Sequence, residues 1–241
     1  MLLFYFCPFI MKGSSEKELI RYLEGFITPR RKALFRRVLE YRTRYLTVVL
    51  EDLYQPHNAS AVLRSCECFG IQDVHIIENR NKYTVNPDIA LGASKWLNLV
   101  KHRGQEDNTT AAIEELRKKG YRIVVTVPGE NATPLEAFDL SRGKAALFFG
   151  TELDGLTDTA IRQADEKLII PMYGFTESFN ISVSAGIILS HLVPRLHRME
   201  GWQLTDEEKQ KVYLSWLKAS IRSSEKIIAE WKREHGRSQR P

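Results

Sequence analysis

Five short apolar runs set the limits on how this chain can fold: TVVLEDL (47–53), DVHIIE (73–78), YRIVVTVP (121–128), AALFFG (145–150) and KLIIPM (167–172). Each is strand length, and several are almost continuously apolar, as strands buried on both faces are. Helical spacing fills two of the gaps, over Asn58 to Phe69 before Gly70 and over Thr110 to Lys119 before Gly120. Strands joined through helices pair in parallel, because a parallel connection has to cross the sheet. The expected fold class is therefore α/β, a mainly parallel sheet with helices on both faces. With 241 residues, 43% of them hydrophobic and 27% charged, the chain can bury a substantial core and reads as globular.

The flanks differ from this middle. MLLFYFCPFI is apolar but only ten residues long, too short to span a bilayer, and it lacks the basic start of a signal peptide. Residues 1–11 read as an over-extended, disordered start, and the protein as cytoplasmic with no membrane segment. Ser15 and Glu18 suggest a capping box for a short helix through Leu23, and Thr28-Pro29 the N-cap and first position of a second. Residues 30–44 carry seven Lys/Arg against one acid, Glu40, a density suited to a polyanion such as nucleic acid. Arg30, Arg31, Arg36 and Arg37 are the candidate RNA contacts. After Thr205, with Glu208 completing a capping box, Val212, Trp216, Leu217, Ile221, Ile228 and Trp231 recur at helical spacing before a basic tail, KREHGRSQRP. The expected organisation is a basic helical arm over 12–44, a catalytic domain over 45–199 and a helical extension over 200–241. Three cysteines give no disulfide framework and fit a reducing compartment. Cys66 and Cys68 read as packing residues, and no metal site is expected.

Three stretches at strand ends carry the polar residues. QPHNASAVLRSCECFG (55–70) follows the first strand, placing Asn58 at a helix N-terminus and Arg64 nearly two turns inside. Arg64 has Val62, Leu63 and Cys66 as chain neighbours, so burial is expected, and an unpaired buried charge costs on the order of 3–5 kcal/mol. Either a structural carboxylate or an anionic ligand would satisfy it. FFGTELDGLTD (148–158) puts Glu152 on a loop between Gly150 and Gly155, which is neither a dinucleotide fingerprint nor a Walker motif. In KLIIPMYGFTESFNISVSAG (167–186) a strand stops at Pro171, and Ser178 stands where an N-cap should, before the apolar helical run from Ile181. Open α/β sheets bind ligands at such strand ends.

Taken together and in this order, Asn58-x5-Arg64, Phe149-Gly-x-Glu152 with Gly155, and Ile170-Pro-Met with Ser178-x-Asn180-x-Ser182 resemble the three motifs of the SpoU branch of SPOUT RNA methyltransferases, over roughly residues 45–195. The resemblance implies a C-terminal deep trefoil knot, S-adenosyl-L-methionine as cofactor, and a homodimer whose site is completed across the interface. It assigns Arg64 as the catalytic arginine with Asn58 beside it, and Glu152, Ser178 and Asn180 around the ribose 2′-hydroxyl. Cofactor contacts are implied at Thr126, Phe149, Gly150, Ile170, Met172 and Phe179. Ser60 and Phe179 depart from the common Gly and Leu, and the bulkier Phe179 bears on the shape of the cofactor pocket. Within the branch, the pattern is most similar to enzymes methylating a D-loop guanosine, nucleotide 18, of tRNA. About forty-five residues precede the first strand, too few for the separate RNA-binding domain of ribosomal relatives.

Methyl transfer from a sulfonium is an in-line displacement, so holding the hydroxyl about 3–3.5 Å from the methyl supplies much of the rate. The sequence leaves open whether Arg64 removes the proton or stabilises the developing alkoxide, although arginine resists deprotonation. It also leaves open an rRNA substrate or another tRNA position. A non-catalytic RNA-binding protein and a nucleotide-dependent oxidoreductase are the rival classes; the polar set counts against the first and the missing glycine fingerprint against the second.

Overall fold

The computed structural model describes residues 13–53, 55–81, 92–129 and 131–237. The reading of residues 1–11 lies outside them. The chain divides into two compact units, Glu40–Leu204 and a second one combining the flanks, up to Leu39 and from Thr205.

The larger unit holds a sheet of seven described strands: β1 (Leu46–Glu51), β2 (Asp73–Ile77), β3 (Asn98–His102), β4 (Arg122–Thr126), β5 (Thr133–Pro134), β6 (Ala145–Phe149) and β7 (Glu166–Ile169). Their order is β3-β2-β1-β6-β4-β7-β5, and the pairs are all parallel. Successive residues of a strand point to opposite faces, and here both faces are covered. Val48, Leu50, Val124, Leu147 and Phe149 pack with α3 (Pro56–Cys68) and α6 (Ile181–Leu196). Val49, Ile123, Val125, Ala146 and Phe148 pack with α4 (Asn108–Lys118) and α5 (Asp158–Arg162). This alternation is the reason the strand sequences read as continuous apolar runs.

β3 and β5 were not read from sequence. β3 (NLVKH) lies at one edge of the sheet and is half exposed, so it lacks an apolar run; β5 is two residues long.

The smaller unit contains α1 (Gly13–Glu24), α2 (Pro29–Leu39), α7 (Asp206–Ser220) and α8 (Ser224–Arg237). Thr28 caps α2 as expected, its Oγ1 accepting the Arg31 N–H at 3.2 Å. Thr205 and Glu208 form a full capping box on α7. Ser15, in contrast, lies inside α1 rather than ahead of it, and Lys232 to Arg237 continue α8 instead of forming a tail. The Glu24 carboxylate accepts from Lys32, Arg36 and Tyr213, tying α1 to α2 and α7. Burial and that hydrogen bond push the Tyr213 hydroxyl up to about 12. Phe35 packs edge-on against Trp216. Arg30, Arg31, Arg36 and Arg37 are all exposed.

Candidate active site

β4, β6 and β7 are sheet neighbours, so the loops leaving their C-terminal ends lie side by side. The loop after β6 is the tightest. Thr151 and Gly155 form an antiparallel bridge, with Thr151 N–H donating to Gly155 O at 2.9 Å. Gly155 adopts a left-handed φ of 69°. A Cβ on Gly150 would sit 2.2 Å from the Gly155 carbonyl, so only glycine permits this closure. Glu152, Leu153 and Asp154 therefore project outward, all exposed.

α3 starts at Pro56 with Gln55 as N-cap, which puts Asn58 in its first turn, as expected. α6 starts two residues later than read. Its N-cap is Asn180, whose Oδ1 accepts from Ser182 N–H at 2.9 Å and Ser182 Oγ at 2.5 Å. Ser178 stands exposed two residues before the cap, so the expected capping role is wrong. Ser and Asn cap about equally well, and the local sequence Ser-Phe-Asn offers both. Capping by Asn180 lets Ile181 turn into the core, where it is 6% exposed.

The three motifs converge. Asn58 Nδ2 donates to Glu152 Oε1 at 2.9 Å, and the Asn180 amide donates to the same oxygen. Asn180 Nδ2 also reaches Asn58 Oδ1 at 3.2 Å, and Gln55 Oε1 accepts from Asn58 at 3.2 Å. Beside this cluster opens a cleft of about 500 Å³ lined by Leu53, Gln55, Asn58, Asn81, Thr151, Glu152, Leu153, Asp154 and Ile181. Gln55 and Asn81 were not among the residues singled out by sequence. The position of Gln55 directly before a helix-starting Pro-x-Asn was the available signal for the first.

Arg64 is not part of this cluster. It is exposed on α3, and among the described residues no hydrogen bond or ion pair engages it. The expectation of a buried guanidinium fails because the buried face of α3 is Ala59, Val62, Leu63 and Cys66, spaced i, i+3, i+4, i+7. Arg64 points off that face. Cys66 packs in the core, where burial pushes its thiol well up, whereas Cys68 is exposed and does not pack.

The residues read as cofactor contacts sit at or just beyond the ends of β4, β6 and β7, except Phe179, which directly precedes the Asn180 cap of α6, and none of them lines the cleft. The Thr126 hydroxyl donates to Phe148 O at 2.8 Å, which leaves it only acceptor capacity for a ligand, and the Phe149 side chain is 2% exposed, so Phe149 can offer a ligand only its backbone. Ile170 and Met172 are half-buried, and Phe179 is 43% exposed. Apolar side chains at adjacent parallel strand ends fit an adenosyl group, which needs an apolar slot for a flat ring. Among the described residues no group of His, Cys, Asp and Glu could hold a metal ion, and no helix is long and apolar enough to cross a membrane.

The family described as "SpoU rRNA Methylase family" matches residues 45–190. The chain belongs to the SpoU methylase family. The tRNA (guanosine(18)-2'-O)-methyltransferase of Borreliella burgdorferi is 42% identical over 205 residues, covering 85% of this chain and 92% of the relative. Among solved structures, the TrmH/SpoU tRNA modifying enzyme of A. aeolicus superposes with a TM-score of 0.69 at 28% identity, over 85% of this SpoU methylase and all of that chain. AviRb of Streptomyces viridochromogenes, solved with the cofactor AdoMet, shares the fold at a TM-score of 0.56 and 21% identity, over 67% and 64% of the two chains. The parallel α/β class expected from the apolar runs is the observed one.

Proposed function

We propose that this SpoU methylase transfers a methyl group from S-adenosyl-L-methionine to the 2′-oxygen of guanosine 18 in tRNA. The observation that carries the reading is the hydrogen-bonded meeting of Asn58, Glu152 and Asn180, one residue from each motif, at the C-terminal end of the sheet. The Borreliella relative, named for this reaction and alike over most of both chains, supports the substrate.

Backbone groups at the ends of β4, β6 and β7, with Ile170, Met172 and Phe179 as apolar walls, would hold the cofactor. When bound, it supplies an electrophilic methyl on a sulfonium. The chain's task is to orient the ribose hydroxyl and accommodate its proton loss. Glu152, with one oxygen held by two amides, has its other oxygen and an open cleft available to a ribose. Ser178 is exposed beside them. Arg64 takes the role of a cation for the adjoining phosphate and the developing alkoxide, because a guanidinium keeps its charge and offers paired donors.

Arg64 reaches a site of this kind from a second copy of the chain in a homodimer. Tyr173, Phe175 and Val183 support this, standing 98%, 108% and 46% exposed on the β7–α6 loop and the first turn of α6, where a monomer gains nothing from apolar surface. The flanking helices, with Arg30, Arg31, Arg36 and Arg37 exposed, serve the RNA backbone, which attracts such charge irrespective of sequence. The trefoil knot and a cytoplasmic setting belong to the same reading. The test is to methylate unmodified tRNA with the purified protein and locate the methyl by nucleoside mass spectrometry, with rRNA fragments as the competing substrate.

A further inference from the structure

We infer that Glu51, the last residue of β1, and Asp52, the residue directly after it, are positioning residues that anchor the two walls of the cleft, Glu51 holding the loop that carries Glu152. Glu51 is 1% exposed. Its Oε1 accepts from Thr109 Oγ1 at 2.5 Å and from Thr157 Oγ1 at 2.8 Å, and its Oε2 accepts the Thr157 N–H at 2.8 Å. Thr157 closes the β6–α5 loop and caps α5 by accepting the Ala160 N–H at 3.2 Å. The catalytic loop is thus gripped twice: at its start by the Gly150–Gly155 closure, and at its end by a carboxylate reaching up from inside the sheet.

Asp52 does the same on the other side. It is 7% exposed and takes a left-handed φ of 51°, which a non-glycine residue adopts only where its surroundings enforce it. Its Oδ1 accepts the N–H groups of Asn79 at 2.7 Å and Arg80 at 2.8 Å, and its carbonyl accepts from Asn81 Nδ2 at 2.9 Å. Asn81 and Glu152 both line the cleft. Both walls therefore refer to the end of one central strand. A carboxylate buried among neutral donors is tolerated only when those donors are fixed on it, so the bonds order the loops as much as they satisfy the acid.

This inference rests on the proposed methyl transfer, and its test separates the two. Thr157→Val, Thr157→Ser and Glu51→Gln, in the full chain, are compared with the parent for kcat and KM on tRNA and for amide hydrogen exchange over residues 150–157. Thr157→Val removes the hydroxyl that both caps α5 and meets Glu51, whereas Thr157→Ser keeps it. Thr157→Val and Glu51→Gln should lower kcat by about a hundredfold, as displacement by an ångström does, while KM stays within about threefold. Thr157→Ser should restore the parent kcat. Exchange at 150–157 should accelerate in the first two variants and not in Thr157→Ser. Parent-like exchange and kcat in Thr157→Val would overturn the inference, as would equal losses in Thr157→Ser. Should Glu51→Gln not fold, the valine–serine pair decides alone. If the parent methylates no tRNA, the functional reading fails, and the exchange data still decide whether the anchor exists.

Discussion

The amide of Asn58 donates to the carboxylate of Glu152 over 2.9 Å although the two residues stand 94 positions apart in the chain. Asn180 donates to the same oxygen, so one carboxylate joins a helix start, a strand-end loop and a second helix cap. Glu152→Gln keeps a carbonyl that both amides can use and should retain a tenth or more of the parent activity, a loss below about 1.4 kcal/mol. Glu152→Ala removes the shared acceptor. Glu152 and Asn180 are exposed and Asn58 is half-buried, so unfolding free energy should change by less than about 1 kcal/mol, while single-turnover methylation should fall roughly a hundredfold. An alanine variant working at the parent rate would remove Glu152 from the site.

Gly150 and Gly174 provide a matched pair. A Cβ at Gly150 meets the Gly155 backbone at 2.2 Å, and one at Gly174 meets nothing within 4 Å. Gly150→Ala should destabilise by about 1–3 kcal/mol through overpacking and lose S-adenosyl-L-methionine binding measured by calorimetry. Gly174→Ala should be neutral or slightly stabilising. Equal behaviour of the two variants would mean that the loop closure has no bearing on the cofactor.

His75 and His102 form a buried stacked pair on β2 and β3, with Nδ1 of the first 2.8 Å from Nε2 of the second. Burial, then the charges of His102 and Lys119, hold His75 down to about 4, against the opposing pull of Asp73 and Glu115. A histidine that is harder to protonate when folded favours the unfolded state as soon as the unfolded chain takes up its proton. The stability is fully present above pH 6.5 and is lost as pH falls from 6.5 towards 4, a loss of about 3 kcal/mol at most. Denaturant midpoints between pH 7.5 and 4.5 should show this fall for the parent and a shallower one for His75→Phe. Parallel curves would refute the assignment.

The contrast between strands and site shows what a sequence carries. Runs such as AALFF are legible because both faces are buried, and Asn58, Glu152 and Asn180 because each follows such a run. β3 was not legible, since the edge strand NLVKH is half exposed and mixes Asn, Lys and His with two apolar residues. The place of Arg64 was misread from its chain neighbours; the spacing of Ala59, Val62, Leu63 and Cys66 already put it off the buried face. Glu51 was hidden for a different reason. A carboxylate ending an apolar strand looks like a solvated boundary until Thr109 and Thr157, from two distant segments, are seen to close over it.

Because Arg64 is exposed and unengaged among the described residues, its loss should leave the fold intact. Arg64→Ala should change stability by less than about 0.5 kcal/mol, bind S-adenosyl-L-methionine normally and be nearly inactive. Arg64→Lys keeps the charge without the two-pronged geometry and should retain about a hundredth of the rate, as expected for losing about 2.7 kcal/mol. If Arg64 instead removes the proton, the lysine variant's pH profile should move to lower pH, following its lower intrinsic pKa. A folded alanine variant with parent activity would end its catalytic assignment.

In the proposed reaction the methyl arrives on the 2′-oxygen of guanosine 18. Two tRNA transcripts decide it, one fully ribose and one carrying 2′-deoxyguanosine at position 18 alone, each incubated with the purified protein and labelled S-adenosyl-L-methionine. A single 2′-O-methylguanosine is expected in the first transcript, mapped to position 18 by nuclease digestion and mass spectrometry, with no label in the second. Label on a base, at another nucleotide or equally in the deoxy transcript would contradict it.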